Sequence, residues 1–204
     1  MLQQTFIELA RKYTTDLDLI SELWNEIQEY HSDQKRYYHT LRHLEHLLEQ
    51  LSQIKDEIDD WDTLLFTLFY HDVVYDSSKS DNEEQSAKLA EKRMKELSVP
   101  DEQIEKCVQQ IMATKSHEVS KETDTNLFTD ADLSILGQPW DEYLKYAQNV
   151  RKEYAQYPKL IYQAGRKKVL RHFLEMDRIF KTNYFFEKYE ETARLNLEKE
   201  LVQS

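Results

Sequence analysis

The stretch Leu64-Leu65-Phe66-Thr67-Leu68-Phe69-Tyr70-His71-Asp72 decides how this chain reads. A run with almost no polar face is followed at once by an imidazole and a carboxylate. Such a run belongs in a core, so the two polar groups at its end are carried to the edge of that core and need partners there. A divalent metal ion satisfies both together.

Further ligands are available on either side. Upstream, Tyr38-His39-Thr40-Leu41-Arg42-His43 sets two histidines four residues apart, about one helical turn, so that both rings can project the same way. His43 is in phase with the apolar stripe of Leu44, Leu47, Leu48, Leu51 and Ile54, while His39 is an alternate ligand or a neighbour of the same cavity. Downstream, Asp130-Ala131-Asp132 opens the apolar stretch Leu133 to Leu136. Two residues apart on a helix, the aspartates face nearly opposite ways, and only one can serve as a ligand. Imidazole nitrogen with carboxylate oxygen suits Mn, Fe, Co, Ni, Zn or Mg rather than a thiolate-loving ion. Adjacent on a regular helix, His71 and Asp72 diverge by about 100°, so they can share an ion only where the helix ends.

The 204 residues include 40% hydrophobic and 32% charged side chains, with two glycines and three prolines. Few breakers and repeated helical spacing predict an all-α chain, folded as a single compact helical bundle over 1–204. Helices are expected from Gln3 to Tyr13, from a cap at Thr14-Thr15-Asp16 to Tyr30, from about His39 past Leu51, and from a cap at Asp56 to Asp60 up to His71-Asp72. Others should run from Asp81 to Leu97, from Ser98-Val99-Pro100-Asp101 through Thr114, from Trp140 to Tyr154, from Lys159 to Phe180 and from Tyr184 to Leu201. Lys121 to Asn126 reads as a polar loop, and Gly137-Gln138-Pro139 as the clearest stop.

A formal charge of −12 argues against a broad nucleic-acid-binding face. The longest apolar run falls far short of a membrane span, and no basic-then-apolar leader opens the sequence, so neither a membrane nor export is expected and the cytoplasm is the default location. The one cysteine, Cys107, cannot form an intramolecular disulfide and reads as a small buried hydrophobe in phase with Ile104, Val108 and Ile111.

The arrangement of a histidine, then His71-Asp72, then a distant aspartate on a helical chain resembles the HD superfamily of metal-dependent phosphohydrolases. More narrowly, the chain looks like a branch of predicted HD phosphohydrolases of this length. The closer likeness rests on Arg36-Tyr37-Tyr38-His39 through His43, Phe69 through Asp76, Asp81-Asn82-Glu83 with Ser86-Ala87, Thr114-Lys115 with His117, Asp130 through Gly137, Val150-Arg151 with Glu153-Tyr154, and Ala193-Arg194 with Asn196-Leu197.

That resemblance implies an HD-type helical domain in which His43, His71, Asp72 and Asp132 hold a divalent ion, with Asp130 and His39 as alternate ligands. It implies hydrolysis of a phosphoester of a nucleotide or another small phosphorylated metabolite by a metal-activated water. Asp72, Glu83 and His39 are the candidate catalytic groups, and Glu83 could equally be favoured by the dipole of a helix start. Arg36, Arg42, Lys115, His117 and Arg151 are the candidate contacts to phosphate. A metal- or nucleotide-sensing module without turnover is the main rival. An oxygenase with two irons is a weaker one, because it needs His117 for the second ion.

Overall fold

The computed structural model describes residues 1–203. Among them are ten α-helices, two short 3-10 turns and no strand, so the all-α expectation holds. Their contacts gather into two units, Met1–Thr129 and the chain from Asp130 onward. The division falls inside one uninterrupted helix, Thr123–Leu133. No helix among the described residues is long and apolar enough to cross a membrane.

The first unit is built around the stretch quoted above. It forms α4 (Trp61–Tyr70), in which Thr63 through Tyr70 are all buried. A helix buried on every side must be surrounded, and α4 packs against α1 (Leu2–Ala10), α3 (Leu41–Ser52), α5 (Asn82–Glu96) and α6 (Asp101–Ala113). Its two threonine hydroxyls are satisfied inside the core: Thr63 Oγ1 donates to Asp60, and Thr67 Oγ1 donates to Gln110 Oε1 at 2.5 Å, whereas Tyr70 Oη is buried without a partner. Asp60 also accepts from Thr63 N, which makes it the N-cap expected there. In the same way Asp16 caps α2 (Leu17–His31) by accepting from Asp18 N and Leu19 N.

Cys107 lies on the buried face of α6, and burial pushes its thiol up to about 12, so it is a core residue without thiolate character. Beyond α6, α7 (Thr123–Leu133) begins earlier than the polar composition of Lys121 to Asn126 suggests. Asn126 explains the difference. Its side chain accepts from Ser120 N and donates to Ser120 O, closing a side-chain cap that turns the polar segment into the first helical turn.

In the second unit, the 3-10 turn Ser134–Gly137 packs against α8 (Trp140–Glu153) and α10 (Asn183–Gln203), and α9 (Lys159–Glu175) packs against α10. Gly137 is what lets the turn approach: a Cβ there would stand 2.9 Å from Tyr189 Cα. Asn196 of α10 donates to the carbonyls of Leu136 and Gln138, and so ties the turn down. Helix α9 stops at Glu175 rather than continuing to Phe180. The reason is tertiary: Glu190 accepts from the amides of Ile179 and Phe180, and Arg194 donates to the carbonyls of Leu174, Met176 and Asp177. These bonds replace the helical ones the segment would otherwise make.

Candidate metal centre

Helix α3 presents His43 in its first turn, on the same side as the buried leucines that anchor the helix, and the ring is only 3% exposed. His71 is the residue on which α4 ends, and it is 1% exposed. Its Nδ1 lies 3.1 Å from the carbonyl of Leu68. A carbonyl can only accept, so Nδ1 carries a proton, and in the neutral ring Nε2 is the nitrogen with the lone pair. That Nε2 stands 3.1 Å from Nε2 of His43. The ring of Phe128, from α7, meets His71 edge-on at 5.4 Å and gives the imidazole an apolar wall.

Asp72 follows where the helical backbone gives way, which is what allows it to serve the same space as His71. Its Oδ2 lies 3.0 Å from His71 Nε2, 3.6 Å from His43 Nε2 and 3.9 Å from His39 Nε2. Burial pushes this carboxyl upward, but the surrounding His71, His39 and His43 outweigh it and hold Asp72 well below the usual carboxylate range. Asp72 is therefore an anion facing three imidazoles.

At the last turn of α7, Asp132 completes a group: one ligand atom each from His43, His71 and Asp132 lie within 4.8 Å of one another. Two imidazoles and a carboxylate, with one imidazole oriented by a carbonyl at its other nitrogen, are a donor set that fits a divalent ion. Asp130, two residues earlier, is turned to different work. Its carboxylate, fully buried, accepts from Lys181 N and from both N and Oγ1 of Thr182, and lies 3.3 Å from Lys181 Nζ. The opposition of the two aspartates on one helix thus separates a carboxylate grouped with the histidines from one that clamps backbone.

Arg36 is nearly buried, and it donates to the carbonyls of His39, Asp72 and Val73 at 2.7–3.1 Å. One guanidinium therefore holds together the segment bearing His39 and the segment bearing Asp72. His39 itself is partly exposed, with its ring stacked against Tyr75 at 4.1 Å between centroids.

The other expected site residues are placed as follows. Lys115 donates to Ser80 O and to Glu84, where it pins the start of α5. Arg151 donates to the carbonyls of Tyr154 and Tyr157 and lies over the ring of Tyr162, which finishes the end of α8. His117 follows α6 with a left-handed backbone, φ 52°, and is not a member of the His43, His71 and Asp132 group. Glu83, in the first turn of α5, enters no described hydrogen bond or ion pair with the histidines, and Arg42 is exposed on α3.

Lys181 and Tyr75 acquire roles that sequence spacing gave no reason to assign. The ammonium of Lys181 is almost fully buried beside Asp130, and it also feels the charge of Asp132; burial lowers its pKa and the two aspartates oppose the shift. A lysine at the boundary of an apolar Ile179-Phe180 pair was the available signal. Compared with known proteins, the chain matches no family model, no curated protein and no solved structure.

Proposed function

We propose that this protein is a metal-dependent phosphohydrolase of the HD type, acting on a phosphoester of a nucleotide or another small phosphorylated metabolite. The observation that supports it best is the convergence of His43, His71 and Asp132 at the edge of the core, with Asp72 Oδ2 3.0 Å from His71. In this reading His43, His71, Asp72 and Asp132 hold one divalent ion, which when bound lowers the pKa of a water and draws electron density from phosphorus.

The chain's own groups then divide the remaining tasks. Leu68 O orients His71 by accepting a hydrogen bond from its Nδ1–H, and Phe128 gives that ring an apolar wall. His39 is the imidazole closest to solvent in the cluster, and it is the group suited to hold or pass a proton at Nε2. Arg36 keeps His39 and Asp72 in register through their backbone carbonyls rather than by touching phosphate. Lys115 and Arg151 are engaged elsewhere, so the substrate's charge falls to the metal, to Arg42 and to backbone amides.

The test is turnover of purified protein on a panel of nucleotides and generic phosphoesters, with Mn, Ni, Co or Mg added, against His71→Ala. Metal-dependent release of phosphate by the wild type and none by the variant is expected. Tight metal binding without turnover on any phosphoester would assign the centre to sensing instead.

A further inference from the structure

Helix α9 departs from the rest of the chain in the sign of its charge. It carries Lys159, Arg166, Lys167, Lys168 and Arg171 against a single carboxylate, Glu175, in a protein of net formal charge −12. Some cations elsewhere are met by acids, as Lys12 is by Asp62 and Arg93 by Glu26. On α9 only Arg166 is met this way, by Glu200 at 2.7 Å. Lys159, Lys167, Lys168 and Arg171 enter no ion pair among the described residues. Four neighbouring cations on a helix with one carboxylate make a locally basic surface on an otherwise acidic chain.

The helix has an inner face of Arg166 and Leu170, flanked by the half-buried Tyr162 and Phe173. On the opposite side, at helical spacing, stand Ile161, Lys168, Arg171 and His172, all exposed. Aliphatic side chains are bare among these cations: Leu160 is 80% exposed, Ile161 59% and Val169 44%. Cations alone would suit any polyanion. Cations interleaved with uncovered aliphatics suit a partner that is anionic at its surface and apolar just beneath.

We propose that the outer face of α9 docks on an anionic lipid bilayer, lying in the plane of the interface with Leu160 and Ile161 inserted and Lys168 and Arg171 among the headgroups. Lying on a membrane requires no spanning helix. Each cation near an anionic leaflet strengthens binding about fivefold, and charges farther away than a Debye length of about 8 Å are screened, so the acidic remainder of the chain does not cancel the local attraction. The binding is reversible and falls with salt.

The experiment is co-sedimentation of the full chain with phosphatidylcholine vesicles, with and without phosphatidylglycerol. Binding is expected only to the mixed vesicles and should weaken as salt is raised. Lys168→Glu with Arg171→Glu should lower the partition by about thirtyfold or more. Ile161→Ser should lower it by about tenfold at unchanged salt dependence. Both changes are at exposed positions, and an unchanged far-UV spectrum verifies that the helix persists. Failure to bind mixed vesicles, equal binding to neutral ones, or no loss in either variant overturns the proposal. Retention on polyglutamate without vesicle binding also overturns it, and would give the face to an acidic protein.

Discussion

The Nε2 nitrogens of His43 and His71 face each other at 3.1 Å, with the Nδ1 proton of His71 committed to Leu68 O. Two imidazole nitrogens this close are joined either by the hydrogen of an N–H···N bond or by a metal ion held between their lone pairs. Adding Mn or Ni to chelator-treated protein should therefore raise its melting temperature. The gain is about 2.7 kcal/mol when the free metal is a hundredfold above Kd. His71→Ala should abolish the response, and a wild-type melting curve indifferent to every divalent ion would remove the centre.

Asp130 and Asp132 should separate cleanly in mutagenesis. Asp130→Ala strands the buried Lys181 ammonium and frees two backbone amides, a loss of about 3–5 kcal/mol of stability. Its metal response should survive if the variant folds. Asp132→Asn should do the reverse, leaving the unfolding midpoint in chelator nearly unchanged while weakening the metal-induced shift. Urea melts of both variants with and without Mn measure this, and the opposite pattern would exchange the roles of the two residues.

His39 lies 3.9 Å from Asp72 Oδ2 but stacks on Tyr75 at the exposed rim. His39→Ala is expected to keep the metal-dependent rise in melting temperature and to lose phosphoester turnover by about 10²-fold or more. Loss of the metal response in His39→Ala, with His43→Ala unaffected, would make His39 the ligand.

Stability should depend on pH through His31. Its Nδ1 donates to Ile27 O at 2.8 Å, its Nε2 is buried without a partner, and burial, with Arg36 nearby, depresses the ring's pKa from the ordinary 6.5 to about 3. Between those values the unfolded chain takes up a proton that the folded chain refuses, so stability falls as the pH is lowered, beginning near 6.5 and continuing to about 3. The slope is at most about 1.4 kcal/mol per pH unit. His31→Leu should flatten the profile between pH 7 and 5, and equal slopes in urea unfolding at those pH values would exclude His31 as the source.

The central helix and the caps Asp16 and Asp60 were legible because each depends on neighbours in sequence: an unbroken apolar run, and an acid one residue before a helix. His43 was legible through its phase with the apolar stripe, whereas His39 lies before α3 begins and so does not share a helical turn with it. The limits of α7 and α9 were not, since Asn126 reaches back to Ser120 and Glu190 draws Ile179 and Phe180 out of a helix. Long-range partners also decided the cations. Nothing local in Arg36 or Lys115 reveals that each ends on a carbonyl or on a carboxylate of its own chain, and Lys181 meets Asp130 across 51 residues of sequence.

The chain's two glycines face unequal evolutionary futures. At Gly165 an added methyl would meet nothing within 4 Å, so drift to alanine there costs no contact and should favour the helix. At Gly137 any side chain would strike the backbone of Tyr189, five residues after the aspartate that joins His43 and His71. Lineages descended from this protein should therefore exchange Gly165 freely while Gly137 stays fixed.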